Sequence, residues 1–222
     1  MAKSINSRRV ESNQTGVHEH LQKIVKKHMA EPFQKPISMH TLLAFDDMIE
    51  TMERRHVKSV ILDSGCGAGD SIISLAHQFP ESTIIGLDKS LVRLQKSQYK
   101  SVPENVMFVR ADQFDFWRLV GKSGCNVKQH FMLYPNPWPK KSHAKRRIFG
   151  HPAFVILPKI CKNIEMRSNW LIYLQEFAEA WQLLTGDKCY VNEFEADEPI
   201  TLFEKKFKES GHPLYRLRTI ED

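Results

Sequence analysis

Apolar positions follow two rhythms along this chain. Up to residue 54 they fall three and four apart. Leu21, Ile24, Val25 and His28 line one face of a helix over residues 17–29, with Lys23, Lys26 and Lys27 on its wet side. Leu42, Phe45, Met48, Ile49 and Met52 form the stripe of a second helix from Ser38 to Arg54, and Pro32 and Pro36 mark the linker between the two. Residues 1 to about 16 are polar and read as a flexible arm. From Ser59 the rhythm changes to short apolar runs separated by helical stretches. The runs are Ser59–Leu62, Ser82–Leu87, Val106–Val109, His130–Tyr134, Trp170–Leu174, Lys188–Val191 and Leu214–Leu217. Between them lie helices over Ser71–Gln78, Leu91–Tyr99, Phe114–Val120, Phe154–Cys161, Glu176–Leu184 and Leu202–Glu209. Strands alternating with helices predict an α/β chain with a mostly parallel sheet. The expected division is an arm with helices over 1–55 and a larger part over 56–222, in one globular domain overall.

The fourth strand runs into a sequence that allows neither helix nor ladder. Pro135, Pro137 and Pro139 remove three backbone donors and fix three φ angles within five residues. The result is a stiff loop at the carboxyl end of a strand, where open α/β sheets bind ligands. It carries Asn136 and Trp138, then Lys140, Lys141, His143, Lys145, Arg146 and Arg147. An aromatic side chain flowing into a basic cluster suits a nucleic-acid base beside its phosphates. The plainer alternative is a solvated surface loop, with Trp138 anchoring it.

The first strand ends in Asp63-Ser-Gly-Cys-Gly-Ala-Gly69, followed by Asp70. Gly65, Gly67 and Gly69 let a ligand approach the backbone closely. A nicotinamide fingerprint spaces its glycines Gly-x-Gly-x-x-Gly and aims a helix N-terminus at a pyrophosphate. Here Asp70 occupies the third glycine's place and would repel that pyrophosphate. S-adenosylmethionine has no phosphate, and its sulfonium and ammonium are both cationic, so acidic residues suit it. Asp88, at the end of the second strand, is placed to accept the ribose hydroxyls, and Asp112, after the third, the adenine amino group. The alternative is a glycine turn whose acids serve as caps and turn formers.

Composition adds little that conflicts. The 222 residues carry a formal net charge of +6, which favours a polyanionic partner such as structured RNA. The four cysteines form no Cys-x-x-Cys pair and no Cys/His set with zinc spacing, so no metal is expected and a reduced cytoplasmic setting is. The first ten residues lack the apolar core of a secretory leader, and no run approaches the roughly 20 apolar residues that span a bilayer.

Two motifs resemble known ones. Asp63-Ser-Gly-Cys-Gly-Ala-Gly69 resembles motif I of class I S-adenosylmethionine-dependent methyltransferases. Pro135-Asn-Pro-Trp-Pro-Lys-Lys-Ser-His-Ala-Lys-Arg-Arg147 is similar to the signature of bacterial tRNA (guanine-N7-)-methyltransferases. Pro199-Ile-Thr-Leu-Phe-Glu-Lys205 is similar to that family's closing Thr-x-x-Glu element, adding Thr201 and Glu204 to the substrate side. The resemblance covers roughly residues 8 to 218. It implies a Rossmann-like class I methyltransferase fold with a seven-stranded sheet, and methyl transfer to guanine N7 in the tRNA variable loop. Asn136 stands where the family has aspartate. Ser142 replaces a usual arginine. The family's Thr-Asp pair after the fifth strand is missing from the segment aligned with it, Ile172-Tyr173-Leu174-Gln175-Glu176. Glu176 and Glu204 read as helix-surface acids, with substitution for the missing carboxylate as the second option. Two outcomes stay open: an active tRNA enzyme, or a relative that binds cofactor and RNA but is silent or redirected.

Overall fold

The computed structural model describes residues 7–221, so the first six residues of the expected arm lie outside the described residues. Helix α1 (Leu21–Ala30) and helix α2 (Met39–Arg54) come first. The chain then alternates: β1 (Val60–Ser64), α3 (Asp70–Gln78), β2 (Thr83–Asp88), α4 (Leu91–Gln95), β3 (Val106–Arg110), α5 (Gln113–Ser123) and β4 (Val127–Leu133). After the proline loop and a series of short 3₁₀ turns follow α6 (Leu157–Ile160), β5 (Ile164–Ser168), α7 (Leu171–Thr185), β6 (Tyr190–Glu193), α8 (Leu202–Glu209) and β7 (Tyr215–Arg218). The strands form one seven-stranded sheet in the order β3-β2-β1-β4-β5-β7-β6. β1 pairs in parallel with β2 and β4, and β2 with β3; β7 runs antiparallel to β5 and β6.

The fifth strand corrects the sequence reading. Trp170–Leu174 is not a strand. Trp170 caps α7, and Leu171–Leu174 form its first turn. A short, fully apolar run is compatible with a buried helix as well as a strand. Here it belongs to a 15-residue helix that buries Tyr173, Leu174, Phe177, Ala180 and Trp181. The true strand reads Ile-Glu-Met-Arg-Ser, and its charges hid it. Glu165 and Arg167 neutralise each other (Nε to Oε1, 2.7 Å). Arg218 of β7 bonds the other Glu165 oxygen at 2.9 Å.

The chain forms two compact units, each discontinuous in sequence. One comprises Phe33–Leu133 and Ile156–Ile164; the other comprises residues up to Pro32, Tyr134–Val155 and Glu165 onward. In the first, β1 and β2 bury nearly every side chain, and the rings of Phe45 on α2 and Phe116 on α5 meet edge to face at 5.3 Å. Thr41, rather than the expected Leu42, opens the buried α2 stripe, where its hydroxyl accepts a bond from the Asp112 N–H at 3.1 Å. In the second unit α7 is the central element and α1 lies along it, burying Leu21 and Val25. The described part of the arm is not loose. Ser7, Ser12 and Gln14 are tied by hydrogen bonds to Ser210, Pro139 and Glu176.

Candidate active site

The first unit holds the proposed cofactor residues. β1 delivers Asp63 into the interior, and the chain then turns through Gly65, Gly67 and Gly69 at φ of +90°, +60° and +89°. L side chains rarely adopt that region. At Gly69 space is closed as well: a Cβ there would lie 2.7 Å from the ring of Phe108. Gly65 and Cys66 donate their N–H groups to the Leu87 carbonyl, locking the loop against the end of β2. Asp88, at that end, accepts from the N–H of Gly67 (3.1 Å) and of Ser90 (2.7 Å), and from Arg93 at 2.9 Å. A carboxylate offers about four acceptor positions, so Asp88 retains capacity for a ligand hydroxyl. Asp112 caps α5 by accepting from Phe114 and Asp115 through one oxygen. Asp70 opens α3 and is paired with Lys100 at 2.7 Å.

Asp63 is the informative member of this group. It is 1% exposed; Oδ2 accepts from the Ser71 hydroxyl, while Oδ1 is buried with no hydrogen-bond partner among the described residues. Burial pushes its carboxyl up to about 7, against the Ser71 bond, with the nearby Asp88 charge adding to the rise. An unpartnered buried carboxylate oxygen is costly unless a cation or donor completes it. That donor set fits a cationic ligand, and S-adenosylmethionine is one. Behind it, the Ser64 hydroxyl meets His130 Nε2 at 2.8 Å and the Trp117 indole N–H at 3.0 Å; burial lowers His130 to about 3, so that network is neutral.

The second unit holds the loop. Its backbone is strained at both ends of the Pro-Asn-Pro step, with Tyr134 at φ +51° and Trp138 at +46°. Non-glycine residues in this region need surrounding structure to hold them. Arg147 provides it. Its guanidinium is fully buried and bonds both oxygens of Glu176 (2.6 Å to Oε2), the Trp138 carbonyl twice (3.1 and 3.2 Å), the Lys140 carbonyl (3.3 Å) and Gln14 Oε1 (3.0 Å). It also lies 4.9 Å from the Trp170 ring centroid. The expectation that Arg147 meets RNA phosphate is therefore corrected: it is the internal clamp of the loop. Glu176 is corrected too, from a surface acid to the clamp's buried counter-charge, further bonded by Gln14 Nε2 and the His18 N–H.

What the clamp leaves outside is Asn136, Lys140, Lys141, Lys145 and Arg146, all exposed. Asn136 Oδ1 accepts from the Trp138 N–H at 3.4 Å. Trp138 is half-buried; Arg146 sits 4.7 Å from its ring centroid and His143 meets it edge-on at 5.6 Å. One face of the indole thus carries a guanidinium. Partial burial, followed by the positive charges of Arg146 and Lys140, lowers His143 from its ordinary value and so favours the neutral ring. Thr201 caps α8 by accepting from the Glu204 N–H at 2.9 Å. Glu204 is fully buried and paired with Arg167 at 2.8 Å, so it too is an internal residue and not a surface acid. Sequence reasoning missed Gln14, Ser71 and Arg93, and no pattern marked them. Among the described residues, no group of three His, Cys, Asp or Glu is placed to hold a metal. No described helix is long and apolar enough to cross a membrane.

A family model described as "Putative methyltransferase" matches residues 57–217. The chain belongs to this family. Among curated proteins it is similar to the tRNA (guanine-N(7)-)-methyltransferase of Aquifex aeolicus, at 26% identity over 166 residues, covering 72% of this chain and 56% of that protein. It is also similar to the Nitrosococcus oceani protein of the same name, at 26% over 165 residues, covering 71% and 70%. The chain thus spans little more than half of the Aquifex relative's length. Among solved structures it is similar to an antibiotic-related methyltransferase, with a TM-score of 0.56 at 17% identity, covering 84% of this chain and 96% of that one. That likeness is one of fold, and it is the Rossmann-like class I methyltransferase fold implied by the motifs. The fifth strand matters to the resemblance read from the sequence, which puts a Thr-Asp pair after it. β5 ends at Ser168, and Asn169 follows, its Nδ2 3.1 Å from His212 Nδ1. The residues that close and follow the observed fifth strand are therefore Ser168 and Asn169, not the segment 172–176. They offer a hydroxyl and an amide, and no carboxylate.

Proposed function

We propose that the chain is an S-adenosylmethionine-dependent methyltransferase that acts on tRNA, at guanine N7. The observation that carries this reading is the clamped loop. Arg147 and Glu176 hold a strained Pro-Asn-Pro-Trp turn in one shape, presenting Asn136 beside four exposed cations. The relatives named tRNA (guanine-N(7)-)-methyltransferases give that loop a substrate. Asp63, Asp88 and the glycine turn hold the cofactor, which supplies an electrophilic methyl group when bound.

The residues present suit this chemistry. Guanine N7 carries an in-plane lone pair and no proton, so the reaction needs no general base and is catalysed by orientation. Lys140, Lys141, Lys145 and Arg146 bind phosphates and fix the RNA's position. Asn136 uses Oδ1 within the loop, leaving its Nδ2 amide to donate to a base acceptor such as O6. The test is nucleoside mass spectrometry of undermodified tRNA incubated with the protein and S-adenosylmethionine: 7-methylguanosine should accumulate. Its absence, with both ligands bound, would support the second reading.

That second reading, a relative silent or redirected at N7, is favoured by Asn136 and Asn169. The base becomes cationic as N7 is alkylated, and an amide cannot offset that charge as a carboxylate does. We therefore expect slow transfer.

A further inference from the structure

Helix α8 exposes two large apolar side chains side by side, Leu202 at 62% and Phe203 at 59%. Phe203 is not an isolated surface ring. Its centroid lies 6.0 Å from that of Phe207 with 28° between planes, and Phe207 lies 5.3 Å from the His212 ring with 13° between planes. Tyr134, the first residue of the clamped loop, meets Phe207 at 5.5 Å. His212, Phe207 and Phe203 thus form a ladder of near-parallel rings, with Tyr134 tilted against its middle member at 50° and Phe203 at its end. Phe207 covers one side of that last ring, and its high exposure leaves the other side open.

The ladder is built from distant parts of the sequence. His212 is held by Asn169 through Nδ1 and by the Ser7 carbonyl through Nε2 at 2.8 Å, and the Ser7 N–H is bonded to Ser210 at 3.0 Å. These bonds bring the N-terminal segment to the ladder's base, where Arg9 donates to the Gly211 carbonyl at 3.3 Å and the neighbouring Arg8 is exposed. On α8 itself Lys206, three residues from Phe203 and so on its side of the helix, is exposed, as are Lys205 and Lys208 further round; the exposed acids are Glu209 on the helix and Asp197 and Glu198 before it. Glu204 is turned inward onto Arg167. An open ring face on a chain of formal net charge +6 matches a polyanion that has flat faces of its own.

We infer that Phe203 is a stacking platform for an unpaired base of the RNA, a contact separate from the 136–147 loop, with Lys206 and Arg8 on the flanking phosphates. The inference rests on the RNA reading proposed above. Base–aromatic stacking tolerates any base, so the platform adds affinity and position, not sequence choice. The occupant is RNA and not a second copy of this chain, because copies of a chain with a formal net charge of +6 repel one another while a polyanion is drawn in.

The experiment measures binding of a fluorescently labelled tRNA transcript across a salt series. It compares wild type, Phe203→Ala, Phe203→Leu, Phe203→Trp and a Lys145→Ala/Arg146→Ala control. Phe203→Ala should lose roughly 5- to 150-fold in affinity, the range of one stacked base, with an unchanged salt slope because no ion is released. Phe203→Leu should lose about as much, since it keeps the apolar bulk but not the flat face, and Phe203→Trp should bind at least as well as wild type. Phe203 is at the surface, so all three should melt like wild type. Affinity unchanged in Phe203→Ala, while the Lys145/Arg146 control weakens, would overturn the platform and leave the RNA reading standing. Full affinity in Phe203→Leu would overturn it as well. So would self-association that is lost in Phe203→Ala with RNA binding intact, which would mark an apolar patch for a second copy. No tRNA binding by wild type would overturn both.

Discussion

Replacing Arg147 by alanine is the sharpest structural perturbation available at this site. In a reading where Arg147 is one more phosphate contact, its loss would weaken RNA binding and leave the fold untouched. The structure says otherwise. Arg147 is fully buried, bonds both oxygens of Glu176, and holds the Trp138 and Lys140 carbonyls and Gln14. Alanine would leave the Glu176 carboxylate buried with only Gln14 Nε2 and the His18 N–H. Stranding one partner of a buried pair costs about 3–5 kcal/mol, against a typical total stability of about 5–15 kcal/mol. For a chain of this length that is a fall in Tm of about 6–20 °C. Differential scanning calorimetry of wild type and Arg147→Ala measures it. A second variant separates charge from architecture. Arg147→Met/Glu176→Leu removes both charges, so most of the Tm should return. The loop carbonyls stay unheld in that variant, so tRNA affinity should not return. A Tm for Arg147→Ala within about 2 °C of wild type would refute the clamp, being the behaviour of a surface side chain.

Three further outcomes follow from the same geometry. The raised folded-state value of Asp63 means that, without ligand, the native state binds a proton that the unfolded chain releases between about 3.8 and about 7, so Asp63 favours folding below that window and withdraws its contribution as pH rises through it. A cationic ligand needs the ionised form, so S-adenosylmethionine affinity should rise from about pH 6 to a plateau near pH 8, with a buffer-dependent calorimetric enthalpy at the lower pH; flat affinity across that range would contradict it. Removing Lys145 and Arg146 should flatten the salt dependence of tRNA binding by up to about two units, and an unchanged slope would reduce them to solvated surface. Asn136→Asp is nearly isosteric and should raise single-turnover N7 methylation by about tenfold or more; adding Asn169→Asp should couple to it rather than simply add, while no gain with binding intact would mean a site rebuilt for another ligand.

The parts of this molecule that could be read from the sequence are those where one residue class does one local job. The α2 stripe, the glycine turn after β1 and the prolines after β4 are of that kind, because steric restriction acts within a few residues. What failed were positions whose meaning depends on distant partners. Ile164–Ser168 looks too charged for a central strand until Arg218 and Glu204 are seen completing its ion pairs. Trp170–Leu174 looks like a strand because its apolar run is short, yet it begins a helix buried on most of its circumference. Arg147 is indistinguishable in sequence from Lys145 and Arg146. Only the fold shows that it turns inward to an acid 29 positions away. The same non-locality hid the end of the fifth strand, which lies at Ser168 and not at Leu174.

The central claim, transfer to guanine N7 of tRNA, is tested most directly by removing that single atom from the substrate. Two transcripts of one tRNA, one made with guanosine and one with 7-deazaguanosine, are incubated with the protein and S-adenosylmethionine carrying a radiolabelled methyl group. Both transcripts keep the phosphates and the base edge that carries N1–H, N2–H and O6, so both should bind with the same salt dependence. Label should enter the guanosine transcript, slowly because Asn136 carries no charge, and should not enter the 7-deaza transcript at all. Equal incorporation into both would contradict the account, because the methyl group would then be going to another atom.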